Sequence, residues 1–146
     1  MAKIVVGVDG SDSAKEALGW ALEEARLRGA DVVAVHAWES APVMLGPGPA
    51  PGFDIVGAMP QLEEPAERLV QTVVDDVAGD NPDVTVERRA VAGPTVEVLV
   101  DAARDADLLV VGSRGLGGFK QLLLGSVSQQ LAHHAACPLV IYRRAD

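Results

Sequence analysis

Short apolar runs alternate along the chain with longer segments in which apolar residues recur every three or four positions. The apolar runs are nearly continuous, which is typical of parallel strands that are covered on both faces. They predict strands over Lys3–Asp9, Asp31–Trp38, Val84–Val91, Asp107–Val111 and Leu139–Tyr142.

The intervening segments have the periodicity of amphipathic helices. Capping-box sequences predict where two of these helices begin, Ser13-Ala-Lys-Glu16 for the first and Ser126-Val-Ser-Gln129 for the last. Pro94 suits the first turn of the third helix. The four apolar stripes begin at Ala14, Leu69, Val96 and Val127.

Regular alternation of strands and helices predicts right-handed βαβ units and a parallel sheet with helices on both faces. Five strands and four helices fit a single three-layer α/β domain over residues 1–146. Ligands of such sheets bind beyond the carboxyl ends of the strands. We therefore expect Asp9-Gly10-Ser11 and the segment after Val111 to meet at one site.

The segment 39–60 interrupts this pattern, because it holds five prolines and four glycines. Such a composition predicts a flexible loop. The segment follows the second strand, so it emerges at the same carboxyl edge as the expected site. Two interpretations stay open: a mobile flap over the site, or a surface loop without a role in binding.

Composition narrows the class of protein and of partner. Hydrophobic residues make up 49% of the chain and charged residues 23%, as in ordinary globular proteins. The net charge of −9 argues against nucleic acid or an anionic membrane as a partner. No apolar run approaches the ~20 residues of a membrane span, and a signal-peptide pattern is missing, so we expect a cytoplasmic protein. The single Cys137 is expected to be a buried packing residue.

The region from Leu108 to Ala145 departs from this acidic character, because it contains no Asp or Glu. This distribution leaves room for an anion, although an apolar C-terminal strand would produce it by chance as well. Lys120 is either a surface charge or a contact of a distal phosphate. The charged residues of the region are Arg114, Lys120, Arg143 and Arg144.

A glycine-rich stretch in this region has the features of a phosphate cradle. It runs from Gly112 to Ser128, between a predicted strand and a predicted helix. Glycines expose backbone N–H groups and permit close approach because they lack Cβ atoms. The start of the following helix adds the positive end of its dipole, and Arg114 could add charge-assisted hydrogen bonds.

The spacing of the glycines separates this stretch from the common phosphate motifs. A P-loop requires a lysine where Gly118 stands. The first strand leads only into Gly7-Val-Asp-Gly10, which is not a dinucleotide fingerprint. The pattern that remains is Gly112, two residues, Gly115, nine residues, then Gly125-Ser126.

This pattern resembles the universal stress protein family, specifically its ATP-binding branch, whose motif is G-x2-G-x9-G-[S/T]. The resemblance covers essentially the whole chain. The flanking segments that share it are Val6-Gly-Val-Asp9-Gly-Ser11, Val35-His36-Ala37, Val91-Ala-Gly-Pro94 and Cys137-Pro-Leu-Val-Ile-Tyr142.

The resemblance implies a Rossmann-like five-stranded parallel sheet with strand order 3-2-1-4-5. It implies ATP as ligand, with Mg²⁺ on the triphosphate and no protein side chain as metal ligand. Asp9 would bind the ribose hydroxyls, and the segment around Ala37 would hold adenine through its backbone. It also implies a homodimer in which the last strands pair. The phosphate contacts would come from Gly112, Gly115, Gly125, Ser126, Val127 and Ser128.

The expected function is that of an ATP-binding universal stress protein, a nucleotide-dependent regulatory module in the stress response. The alternative is a slow ATPase or phosphotransferase that uses the same site. Phosphoryl transfer needs a positioned metal ligand and a residue that orients the nucleophile, and the motif supplies neither. A flavin carrier is disfavoured by the 3% aromatic content.

The histidines have structural interpretations. His36 lies on an apolar strand beside the expected adenine segment, and we predict a core histidine with one satisfied nitrogen rather than a catalytic base. His133 and His134 are adjacent on a helix and therefore do not share a face, which disfavours a metal site.

Overall fold

The computed structural model describes residues 2–39, 55–79, 83–114 and 124–144. Strands and helices alternate throughout, as the apolar pattern predicts. The strands are β1 Lys3–Gly7, β2 Asp31–Trp38, β3 Val86–Ala92, β4 Leu108–Gly112 and β5 Leu139–Tyr142. The helices are α1 Asp12–Arg28, α2 Ile55–Ala78, α3 Thr95–Ala102 and α4 Ser126–His134.

The five strands form one parallel sheet in the order β3-β2-β1-β4-β5, which confirms the predicted fold. The order reverses at β1, whose neighbours are β2 on one side and β4 on the other. In α/β sheets this reversal opens a crevice at the carboxyl ends of the two flanking strands. The fold thus places a binding crevice beyond β1 and β4.

Helices cover both faces of the sheet. One face packs against α1 and α2, and its core includes Ile4, Leu18 and Val74. The other face packs against α3 and α4, and its core includes Val5, Leu109 and Leu131. Successive residues of β1 therefore enter opposite cores, which is why its apolar run is continuous.

The outer strands correct one part of the prediction. Positions along β3 alternate between half-buried and exposed, so β3 is not covered on both faces as its apolar run suggested. All four residues of β5 are only half-buried. Both strands lie at the edges of the sheet. The helix α2 covers one face of β3, where Val86 and Ala90 pack against the core.

The helix starts differ from the capping boxes. The N-cap of α1 is Ser11, whose Oγ accepts a hydrogen bond from the Ala14 N–H at 3.2 Å, so Ser13 already lies inside the helix. Gly125 is the N-cap of α4, which makes Ser126 the first helical residue. Pro94 is the N-cap of α3 and immediately precedes its first turn.

The helix α2 begins at Ile55, so the loop predicted over residues 39–60 ends before Pro60. Residues 40–54 lie outside the described part of the chain. The apolar stripe of α2 is confirmed, because Val70, Val73 and Val74 are buried in the core. Within the described residues, no helix has the length and apolar character to cross a membrane.

Candidate functional site

Three strand ends and one helix start converge at the carboxyl edge of the sheet. Asp9 follows β1, Ala37 lies near the end of β2, and Gly112 ends β4. The start of α4 joins them, because the Gly125 N–H donates to the Ser113 carbonyl at 2.7 Å. The structure thus brings together most of the residues that the resemblance implied, whereas Gly115 lies outside the described residues.

The turn between β1 and α1 holds Asp9 in a defined position. Its Oδ1 accepts a hydrogen bond from the Ser11 N–H at 2.8 Å, which closes a local turn of the kind that Asp favours. Ser11 in turn caps α1. Oδ2 accepts no hydrogen bond from the described residues, so it is available to a ligand.

Gly112 has no side chain because α1 leaves no space for one. A Cβ atom built on Gly112 would stand 2.3 Å from Ser13 Oγ, 2.8 Å from its carbonyl carbon and 2.9 Å from its carbonyl oxygen. Ser13 Oγ also accepts a hydrogen bond from the Arg114 N–H at 3.4 Å. The first turn of α1 therefore packs directly against the backbone that leaves β4.

Two serines fix the far side of this backbone. Ser113 is 6% exposed, and its N–H donates to the Tyr142 carbonyl at 3.0 Å. Ser128 is 3% exposed, and its hydroxyl donates to the Gly112 carbonyl at 2.9 Å. Ser128 was expected among the phosphate contacts, but its hydroxyl faces the protein interior. Its side chain positions Gly112, and only its backbone N–H is left for an anion.

The N-terminus of α4 offers backbone donors that have no partner among the described residues. The first backbone hydrogen bond of the helix runs from the Gln129 N–H to the Gly125 carbonyl at 3.1 Å. The N–H groups of Ser126, Val127 and Ser128 therefore have no partner within the helix. The N-cap makes no side-chain hydrogen bond to them, and the Ser126 side chain is exposed. Such donors together with the helix dipole form an anion site.

The basic residues of the C-terminal region differ in availability. Arg114 is exposed and follows β4 directly. Arg144 pairs with Glu16 at 3.2 Å, so its charge is partly neutralised. Lys120 lies outside the described residues. Arg114 is thus the described cation best placed to meet an anion at the start of α4.

His36 makes one defined hydrogen bond, as predicted. Its Nδ1 lies 3.0 Å from the Val8 carbonyl oxygen. A carbonyl oxygen only accepts, so Nδ1 carries the hydrogen. The ring is half-buried and ties β2 to the end of β1.

A separate cavity of about 410 Å³ lies between β3 and α3. It contains none of the residues that the sequence singled out for nucleotide contact. No sequence pattern indicated this cavity, since it depends on how α3 packs beside the edge strand β3. Its lining comprises Arg89, Val91, Ala92, Gly93, Pro94, Glu97, Val98, Asp101 and Ala102.

Comparison with known proteins places this geometry in a family. A family model described as "Universal stress protein family" matches residues 1–143. A universal stress protein of Mycolicibacterium smegmatis is 36% identical over 96% of this chain. One from Mycobacterium tuberculosis is 37% identical over 99% of it. The chain spans 45% and 46% of the lengths of these two relatives, which are thus about twice as long.

Solved structures share the fold, and some of them contain adenine nucleotides. A universal stress protein in complex with cAMP has a TM-score of 0.71 at 26% identity, with 99% of this chain and 98% of that chain covered. An Arabidopsis thaliana family member with AMP bound has a TM-score of 0.64 at 25% identity, with coverages of 100% and 94%.

A third structure, from Archaeoglobus fulgidus in complex with dAMP, has a TM-score of 0.57 at 25% identity and covers 97% of both chains. The three ligands share an adenine base and differ in sugar and phosphate. With the family model matching nearly the whole chain and relatives above 30% identity, the assignment is direct: the chain belongs to the universal stress protein family.

Proposed function

We propose that this chain binds ATP at the carboxyl edge of its sheet and acts as a nucleotide-dependent regulatory module in the stress response. The observation that carries the proposal is the anion site formed by the start of α4 beside the bare backbone of Gly112. A regulatory role follows from a site that is built for binding, with occupancy or oligomeric state as the signal.

The phosphates would lie against the start of α4. The N–H groups of Ser126, Val127 and Ser128 have no partner in the part of the chain that the structure describes, and the dipole favours negative charge at this helix end. Gly112, Gly125 and Arg114 would border the same space, and the motif adds Gly115 to this set. Mg²⁺ would bind the phosphate oxygens, as it commonly does with few protein ligands.

The nucleoside would extend from the phosphates toward β1 and β2. Asp9 offers Oδ2 to the ribose hydroxyls, since Oδ1 is held by the Ser11 N–H. The backbone of Ala37 would meet the adenine base. Support comes from the three structural relatives, whose AMP, cAMP and dAMP all contain adenine.

The chain would form a homodimer through β5. The backbone N–H and C=O groups of Val140 and Tyr142 point toward β4, since the Ser113 N–H donates to the Tyr142 carbonyl. Alternation along the strand then directs the N–H and C=O of Leu139 and Ile141 away from the sheet. An apolar edge with free backbone groups suits pairing with the same edge of a second copy.

The acidic net charge fits a cytoplasmic protein with no nucleic-acid partner.

The experiment is isothermal titration with ATP, ADP, AMP and FMN at physiological Mg²⁺. We expect ATP to bind with a dissociation constant below about a millimolar, and Gly115→Ala and Asp9→Ala to weaken it. Absence of binding by every nucleotide, or an unchanged ATP affinity in Gly115→Ala, overturns the proposal. A single-turnover ATPase assay tests slow hydrolysis, for which rates near ~1–10³ s⁻¹ would favour an enzyme.

A further inference from the structure

We infer that His36 is a positioning residue for base recognition. Its side chain donates to the Val8 carbonyl, which would otherwise accept from the Ala37 N–H, and so leaves the Ala37 backbone free. The inference rests on the proposed adenine site at Ala37. The hydrogen bonds between β1 and β2 determine which backbone groups are available to distinguish adenine from other bases.

The ladder between these strands ends at Val8. Gly7 lies opposite Val35 in register, and the Val8 N–H donates to the Val35 carbonyl at 2.9 Å. In a regular parallel ladder, the carbonyl of the same residue would next accept from the N–H two residues beyond, which is Ala37. The Val8 carbonyl instead accepts from Nδ1 of His36 at 3.0 Å. No hydrogen bond joins the Ala37 N–H to the Val8 carbonyl.

The Ala37 backbone consequently points into the crevice. Alternate residues of a strand direct their N–H and C=O groups to the same side. The Val35 carbonyl faces β1, whereas the Trp38 carbonyl faces β3, where it accepts from Gly93 N–H at 2.9 Å. The Ala37 N–H and C=O thus face the β1 side, at the level where β1 has already turned away toward Asp9.

A donor and an acceptor on one strand edge match the chemistry of adenine. Adenine carries a ring-nitrogen acceptor beside its exocyclic amino donor. The Ala37 N–H would donate to the ring nitrogen, and its carbonyl would accept from the amine. On the edge that carries N1, hypoxanthine, the base of ITP, reverses both groups: its N1–H faces the Ala37 N–H, and its carbonyl faces the Ala37 carbonyl. Because the His36 side chain replaces the ladder hydrogen bond, the site thus favours ATP over ITP.

The first measurement needs no ligand. We predict that, without nucleotide, the Ala37 amide exchanges with solvent at least about a hundredfold faster than the laddered Val35 amide, relative to their intrinsic rates. In His36→Leu the Val8 carbonyl loses its donor and takes the Ala37 N–H, so exchange at Ala37 slows. His36→Asn can present a side-chain N–H at the place of Nδ1 and keeps the wild-type exchange.

The second measurement compares ATP, ITP and tripolyphosphate by calorimetry in the three proteins. In His36→Leu the ratio of the ATP affinity to the ITP affinity is expected to fall about three- to tenfold, which is the scale of a single hydrogen bond. The tripolyphosphate affinity is expected to stay unchanged. His36→Asn is expected to restore the preference. A purely structural role would weaken all three ligands together.

The two measurements distinguish a failure of the proposed function from a failure of the role of His36. If the wild type binds neither ATP nor tripolyphosphate, the proposed function fails, and the Ala37 exchange rate still decides whether His36 frees the strand edge. If the wild type prefers ATP and His36→Leu keeps that preference, or if the wild-type Ala37 amide is as protected as that of Val35, the role of His36 is overturned. Should His36→Leu not fold, the wild type and His36→Asn decide the matter.

Discussion

Ser13 and Gly112 lie in contact across the junction of α1 and β4, so close that a Cβ atom on Gly112 would stand 2.3 Å from Ser13 Oγ. The contact joins the helix that follows Asp9 to the backbone that leads into the glycine-rich stretch. Ser128 holds the same glycine from the opposite side through its hydrogen bond to the Gly112 carbonyl. The predicted phosphate and ribose ends of the site are thereby fixed to each other.

Gly112→Ala should destabilise the protein and weaken ATP binding. The new methyl group would meet backbone atoms of Ser13 at 2.8 and 2.9 Å, which cannot rotate away, so α1 or β4 must shift. Overpacking of this kind costs about 1–3 kcal/mol. Chemical denaturation measures the loss, and calorimetry measures the ATP affinity.

Gly19→Ala is the matched control. Gly19 lies within α1, and the nearest atom to its added Cβ would be Val77 Cγ1 at 3.8 Å, an ordinary contact. Alanine in a helix interior is favoured over glycine by about 0.5–1 kcal/mol, so this variant should be as stable as the wild type or more so. Equal stabilities for the two alanine variants would contradict the packing argument.

Ser128→Ala and Ser126→Ala should separate stability from binding. Ser128 is buried and its hydroxyl bonds to Gly112, so its loss should lower the free energy of unfolding by about 1 kcal/mol. Ser126 is exposed at the first position of α4, so its replacement should leave stability unchanged and weaken ATP alone. Unfolding curves and titrations of both variants check this, and a destabilised Ser126→Ala would refute the assignment.

Ile141→Pro should dissociate the proposed homodimer without opening the sheet. The Ile141 N–H points away from β4, so proline removes a donor only from the free edge. Sedimentation equilibrium should give a dimer for the wild type and for Ile141→Val, and a monomer for Ile141→Pro. A proline variant that stays dimeric would exclude β5 as the interface.

The thiol of Cys137 should react slowly in the folded protein. Burial raises the pKa of Cys137 above its ordinary value, and the nearby Asp107 carboxylate raises the pKa further. Because the thiolate is the reactive form, the midpoint of the pH profile for alkylation should lie higher in the native protein than in denatured chain. Because the pKa is raised, the folded state favours the neutral thiol. This contribution to stability is fully present below the pKa of the unfolded chain and is lost as the pH rises through the pKa of the folded protein. A native midpoint at or below the denatured one would contradict this.

The sheet could be predicted because its information is local. The apolar runs of β1, β2 and β4 are continuous, and each is followed by a helical stripe, which restricts the topology to βαβ units. The overestimated burial of β3 shows the limit of this reasoning. A run such as Val84–Val91 does not reveal whether a strand lies at an edge, since that depends on the strand order of the whole sheet.

Sequence motifs led to the candidate site, whereas its contacts could not be predicted. The glycine spacing indicated the phosphate end, but it could not show that Ser128 faces inward or that Ser13 excludes a side chain at Gly112. The hydrogen bond between His36 and Val8 joins residues far apart in the chain, and it depends on the register of two strands. The cavity beside β3 likewise depends on how α3 packs, which local patterns do not encode.

The most direct test of the adenine-nucleotide site is a titration of the ¹⁵N-labelled protein with Mg²⁺-ATP, followed by backbone amide chemical shifts. The account predicts that the largest changes cluster at Ser126, Val127, Ala37 and the residues around Asp9 and Gly112, and that they saturate with a single dissociation constant. Shifts confined to the cavity residues Arg89, Glu97 and Asp101, or no saturable shifts at all, would contradict it.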